Sequence, residues 1–410
     1  MKGATGTVIK LVLVAALMFF VFRSIHFEDR LVMRDGDKVV AEQEIEIQGP
    51  WNADPITYLV GDDPQPRQIG RGAVIEGHDA TIEPGFITYW HNLDPGLFAL
   101  GAFCYFLTAL IAGARWWWLL RCNGTDVSLL ETLRFTWIGV FFNTVVPGAT
   151  GGDLIKALYI MKRCPGHRVQ VLVSVVVDRV LGLASLAFLG AVIVLFALDR
   201  FGEIALGIWC VIGGVGLLGL FAFSRRLRRL VRISWLLERL PQKVGHLLKL
   251  VDQAVFFYRN HGGVIVASLV AGIGNHVLSV LSVAFIGDAL GVGMPWFEYF
   301  ALIPVINIVS ALPIGPNGWG VGEALYKLLF AKYGAAHLAA TIPDPAQAAQ
   351  AMGTRGVSLS VLYRLHLTFW SLLGGLFVLF EKDKVTKDDI AREVALEQRE
   401  DERDDNLPSD

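Results

Sequence analysis

Six stretches of this chain, near 5–24, 93–121, 169–197, 203–223, 262–290 and 356–380, are apolar for about the 20 residues a helix needs to cross a bilayer, or longer. In lipid, every backbone N–H and C=O must find a partner within the protein, so a chain of this kind is confined to helices or a closed barrel. Uninterrupted apolar runs of this length select helices. Composition agrees: 54% of residues are hydrophobic, 18% are charged and the mean hydropathy is +0.51. The net charge of −2 gives no reason to expect a nucleic-acid partner.

Two places interrupt the apolar pattern in the same way. The first is FFNTVVPGATGGDLIKALY, Phe141–Tyr159, and the second is INIVSALPIGPNGWGVGEALY, Ile306–Tyr326. Each has an Asn, a Pro-Gly break, a Gly, an acid, Ala-Leu and Tyr. Glycine and proline break helices, and broken backbone at membrane depth survives only where protein or a wet cavity satisfies it. Two such breaks in corresponding halves are the sequence pointer to a transporter-like site near the midplane.

Lys and Arg set the orientation. Arg115 and Arg121 follow the second run; Lys156, Lys162, Arg163 and Arg168 precede the third; Arg225, Arg226, Arg228, Arg229 and Arg232 follow the fourth. The loop at Ala335–Gly353 has neither Lys nor Arg. The basic loops are therefore expected in the cytoplasm, with both termini inside. The segments around the two breaks are too short and polar to span, and are expected to form re-entrant helical hairpins. The hairpin over 129–161 enters from the cytoplasm, and that over 296–333 enters from outside.

The predicted fold is thus an all-α polytopic membrane protein with two oppositely inserted re-entrant hairpins, arranged as an inverted repeat, plus a small β-rich external domain. Its parts are an uncleaved anchor at 1–24, the β-rich domain at 25–92 and a first membrane half at 93–223. A basic amphipathic cytoplasmic linker at 224–261, a second membrane half at 262–380 and an acidic, disordered cytoplasmic tail at 381–410 follow. The β reading rests on alternating KVVAEQEIEIQ and ITYLV and on turns at Asp35-Gly36 and Gly49-Pro50. The four cysteines are expected to be free thiols.

The candidate substrate-binding residues are Asn143, Gly151, Gly152, Asp153, Lys156, Asp178 and Arg179 in the first half. In the second they are Asn307, Gly320, Gly322, Glu323, Lys327 and Arg364. A charge at the bilayer centre costs about 2.5–3.5 kcal/mol on insertion scales, so these groups should face protein or water. Arg keeps its charge and forks onto phosphate, which makes Arg179 and Arg364 the principal candidates. The glycines permit close approach of backbone, and a helix N-terminus offers free N–H groups to phosphate. Plainer readings stand beside these. Asp153 and Glu323 are ordinary N-terminal acids, Asp153 suits Lys156 or Arg179 as an ion-pair partner, Asn143 and Asn307 suit capping or bridging of the hairpins, and the glycines suit helix packing. The Trp116-Trp117-Trp118 run reads as an interfacial anchor. The histidines 167, 246, 276 and 366 form no metal-like pair, and no nucleotide-binding or Ser-His-Asp pattern is present, so neither a cofactor nor a metal is expected.

At Arg115-Trp116, Leu119-Leu120, Phe141–Lys156, Asp178-Arg179-Val180-Leu181-Gly182, Pro313–Glu323 and Tyr363-Arg364 the chain resembles the flippase-like family related to the transmembrane region of lysylphosphatidylglycerol synthases. The resemblance covers roughly residues 95–380. It implies movement of an anionic, aminoacylated, glycosylated or polyprenyl-phosphate lipid between leaflets of the cell inner membrane, without ATP hydrolysis. The partners it implies are membrane lipids through their headgroup phosphate, with a lipid-modifying enzyme or an external protein as a further partner. Such synthases carry a soluble aminoacyl-transfer domain after the membrane region; here about 30 residues of charged sequence follow the last apolar run, so aminoacyl transfer by this chain is not expected. Two alternatives stand: a membrane-embedded transferase acting on a lipid-linked substrate, and a scaffold that recruits a partner through 25–92.

Overall fold

The computed structural model describes residues 27–35, 38–51, 53–61, 63–70, 73–145, 151–223, 257–258, 260–310, 321–339, 345–381 and 389. The expected anchor, nearly all of the basic linker and most of the acidic tail lie outside the described residues. The chain divides into two compact units. One comprises Met1–Tyr105, Ser279–Ser310 and Gly318–His366, the other Phe106–Leu278, Ala311–Asn317 and Leu367–Asp410.

The first unit begins with six strands: β1 (Asp29–Asp35), β2 (Lys38–Gln48), β3 (Ile56–Val60), β4 (Asp63–Ile69), β5 (Val74–Ile75) and β6 (His78–Glu83). They form one antiparallel sheet in the order β4-β3-β2-β1-β6-β5. Strand alternation puts Leu31, Ile45, Tyr58, Ile69, Ala80 and Ile82 into one buried cluster. Edge strand β4 carries Pro64 and Pro66, which cannot donate to a further strand. Buried Asp29 accepts hydrogen bonds from Ile47 N, Gly85 N and Thr88 Oγ1 at 2.9, 2.6 and 2.9 Å. That carboxylate joins the sheet to a short helix, α1 (Phe86–Asn92), which the sequence reading had assigned to the β-rich region. Gly85 must be glycine, because a Cβ there would run into the Phe27 and Glu28 backbone.

Further helices follow: α2 (Pro95–Cys122), α3 (Leu129–Val145), α4 (Gly151–Arg163), α5 (Arg168–Leu195), α6 (Leu198–Phe223), α7 (Gly262–Ala289), α8 (Trp296–Ser310), α9 (Val321–Gly334) and α10 (Pro345–Phe380). Among the described residues, α2, α5, α7 and α10 from Ala348 are long and apolar enough to cross a membrane. Their starts are locally encoded. Asp94 caps α2 through Gly96 N and Leu97 N at 2.8 and 3.0 Å, with Pro95 at the first helical position. Ser128 and Glu131 form a reciprocal capping box on α3.

One expectation is corrected here. The stretch 335–353 was read as a loop, but a 3-10 turn (Ala335–Leu338) is followed by α10 already from Pro345. Arg364 therefore sits near the middle of a 36-residue helix.

In the second unit, Trp116, Leu120, Phe135, Ile138, Ile160 and Val171 form a core where α2, α3, α4 and α5 meet. In the first unit, Tyr299 and Tyr326 pack against Phe330, with ring centroids 5.8 and 5.3 Å apart, at the junction of α8 and α9.

Candidate functional site

In the second unit, α3 and α4 lie side by side in closest approach at Gly139 and Gly152. A Cβ on Gly152 would meet the Gly139 carbonyl oxygen and come within 2.7 Å of Asn143 Oδ1. Small residues let the backbones approach, and the approach has a polar purpose. Asn143 Oδ1 accepts the Gly152 N–H at 2.8 Å, satisfying one of the orphan donors at the start of α4.

One residue on, Asp153 is 5% exposed and Lys156, one turn further, is 7% exposed. They pair at 3.1 Å. Asp153 Oδ2 also accepts both Nε and Nη2 of Arg179 from α5, so one carboxylate oxygen serves the arginine and the other the lysine. Lys156 Nζ lies 4.4 Å from the centroid of the Trp116 ring, so its charge faces a carboxylate and an aromatic face together. Arg179 differs from its two partners: 53% of its side chain is exposed.

The second break repeats the pattern within the other unit. Gly322 and Glu323 open α9, and Arg364 of α10 pairs with Glu323. A Cβ on Gly322 would stand 2.5 Å from Arg364 Nη2, so this glycine leaves room for the guanidinium. Here both partners are sheltered, the Arg364 side chain at 14% and Glu323 at 17% exposure. Lys327 is exposed, and Asn307 is half-buried on α8. Gly320 lies outside the described residues, and Gly151 is half-buried at the first position of α4.

Asp178 takes a different direction from its neighbour Arg179, as adjacent helical residues must. It is buried and accepts Arg115 Nε of α2 at 2.8 Å, while Arg115 Nη2 reaches the Asp178 carbonyl at 3.3 Å. Glycines 182 and 272 flank the Arg115 guanidinium, and His276 of α7 bonds the Gly182 carbonyl at 3.0 Å.

Two residues that matter here were read otherwise from the sequence. By sequence Arg115 reads as a topology marker, and Trp116 as part of an interfacial anchor. Trp116 is fully buried, and its indole N–H donates to Ser174 Oγ at 3.0 Å. Only Trp118 of the three is exposed. The signal available was position: Arg115 and Trp116 lie two turns before the end of α2, with Leu119 and Leu120 still to follow.

A separate cavity of about 60 Å³ lies between the sheet and α10, lined by Trp51, Ile69, Ile82, Gln350, Thr354 and Arg355. The start of α4 brings together three of the expected residues, Asp153, Lys156 and Arg179, and is the stronger candidate.

Comparison with known proteins supplies the family. A curated UPF0104 membrane protein from Pyrococcus horikoshii is 25% identical over 304 residues, covering 68% of this chain and 85% of the relative. No solved structure matches the chain. The family model for the lysylphosphatidylglycerol synthase TM region matches residues 85–342, a stretch that takes in α2 through α9 and both broken motifs. Because that match covers more than half of its length, the chain belongs to the lysylphosphatidylglycerol synthase TM-region family.

Proposed function

We propose that this protein is a lipid translocase of the cell inner membrane, moving an anionic or modified phospholipid or polyprenyl-phosphate lipid between leaflets without hydrolysing ATP. The observation that carries this reading is the repetition of one charged device. In each half a short helix opens with Gly-acid, and the acid pairs with an arginine from the next long helix: Asp153 with Arg179, Glu323 with Arg364. Intramembrane ionisable residues that pair with one another mark transport paths.

In this reading α3–α4 and α8–α9 are re-entrant hairpins entering from opposite faces. Both termini are cytoplasmic, and the β sheet is external. A headgroup phosphate competes with Asp153 for Arg179, whose guanidinium is already half exposed. Asp153 tolerates the exchange because Lys156 stays beside it. Arg364 receives the phosphate in the alternate state, giving up Glu323. The acyl tails remain in lipid throughout, so only the headgroup needs a polar route.

The test is reconstitution of the full-length protein in liposomes carrying leaflet-reporting phosphatidylglycerol, aminoacylated phosphatidylglycerol or polyprenyl phosphate. The lipids are recovered and checked by mass spectrometry. Movement of at least one lipid, chemically unchanged, is the expected result. A chemically altered lipid replaces this reading with a transferase, and absence of movement across the panel contradicts it.

A further inference from the structure

Each hairpin is also closed at its foot, and the two feet are built from different chemistry. In the first, Glu131 is the third residue of α3, and its Oε1 accepts Arg163 Nε, from the last residue of α4, at 2.9 Å. In the second, Glu298 is the third residue of α8, and its Oε1 lies 2.5 Å from Nε2 of His337, in the 3-10 turn directly after α9. The same position in each first arm carries the acid, and the chain leaving each second arm carries the base. One base keeps its charge at every physiological pH. The other is an imidazole, the side-chain type used as a charge switch in the physiological range.

We infer that the Glu298–His337 pair is a pH-sensitive clasp on the second hairpin, locked when His337 is protonated and loosened when it is neutral, and that the Glu131–Arg163 clasp of the first hairpin has no such response. The proposal deepens the translocase reading, on which it rests for the hairpin topology. Glu298 is only 1% exposed, so its carboxylate depends on the partners around it. A protonated imidazole gives it an opposite charge and a hydrogen bond; a neutral one leaves the hydrogen bond alone.

Other charged or titratable groups lie on the helices that carry the pair and on their neighbours in the chain. Asp288 at the end of α7 accepts the Trp296 indole N–H at 2.7 Å. Tyr299 is the residue after Glu298, and Lys332 and Tyr333 occupy the last turn of α9, with Lys332 Nζ 5.4 Å from the Tyr333 ring centroid. Arg355 of α10 donates to Val292 O at 3.0 Å. Of these side-chain types, imidazole is the one that serves as a charge switch in the physiological range. At the first foot, the Arg163 hydrogen bond and then the Ser128 backbone hold the Glu131 carboxyl at about 2, so neither partner titrates near neutrality.

Two readouts on the same full-length protein in liposomes separate the clasp from the transport reading. The first is amide hydrogen exchange of the peptides covering 296–300 and 333–338, corrected for intrinsic rates, at pH 5.5 and 8.0. Wild type is expected to lose protection by roughly threefold at the higher pH, the scale of a partly exposed ion pair. His337→Arg should stay protected at both values, His337→Gln should stay loose at both, and the 129–133 foot should be unchanged in all three. The second readout is lipid movement, which should rise with pH in wild type and lose its pH dependence in both variants. Equal exchange in wild type and His337→Arg at both pH values overturns the clasp, whatever the lipids do. A pH-dependent clasp with no lipid movement upholds it and removes the translocase reading instead.

Discussion

At the scale of single residues, the two Gly-acid steps look alike in sequence but are built differently. Gly152 is hemmed in by backbone: the Gly139 carbonyl and the Asn143 side chain occupy the space of a Cβ. Gly322 is hemmed in by the end of the Arg364 side chain, which can swing. Gly152→Ala should therefore destabilise the protein by about 1–3 kcal/mol, the range of core overpacking. Gly322→Ala should cost less in stability but disturb the Glu323–Arg364 pair. Thermal unfolding midpoints and lipid movement, measured on both variants, check the contrast. The sequence made both glycines and both acids visible, because Gly and acidic residues are conspicuous inside an apolar run. A capping or bridging role for Asn143 was legible too, and its side chain finds Gly152 N, nine residues on, once the chain has turned back.

Among helices, the Arg115–Asp178 pair joins α2 to α5 through groups that are both nearly inaccessible. Removing one partner strands a buried charge and costs about 3–5 kcal/mol, whereas replacing both by apolar residues of similar size is often neutral. Arg115→Met and Asp178→Leu should each lower stability strongly, while the double variant should recover much of the loss. A double-mutant cycle on thermal stability decides whether the pair is glue or a substrate contact. The foot of the first hairpin gives a second test. Because the folded Glu131 carboxyl sits at about 2, below its unfolded value near 4.3, its contribution is complete above that unfolded value. It is lost as pH falls from there toward 2. Arg163→Gln should flatten that part of the acid-unfolding curve. The helix ends on either side of each break were legible to within a few residues, because Pro and Gly signals are local, whereas the Asp94 cap and the Ser128–Glu131 capping box emerge only from the structure. The early start of α10 was missed although Asp344-Pro345 followed by an Ala-rich run is a helix-start signal; the absence of strong apolar periodicity there hid it.

Over the whole molecule, membrane character and the alternation of long and short helices follow from hydropathy alone, since a bilayer admits few solutions. The β sheet was legible as a β-rich region and not as a topology, because strand order depends on pairing between residues far apart in the chain. Long-range partners at the charged sites were legible only in part. Asp153 was foreseen as the natural partner of Arg179, but Arg115, buried two turns inside α2, was not foreseen as the partner of Asp178. The two acid–arginine pairs, one in each unit, are what joins the fold to the proposed activity.

The most direct measurement is leaflet exchange of a labelled lipid that wild type moves, compared with Arg179→Gln, Arg364→Gln and the double variant at equal reconstituted amounts. We expect each single variant to lose at least tenfold in rate, the factor that about 1.4 kcal/mol of lost phosphate contact produces, and the double variant to be indistinguishable from empty liposomes. Exchange at the wild-type rate by the double variant would contradict the central claim that these two arginines carry the headgroup.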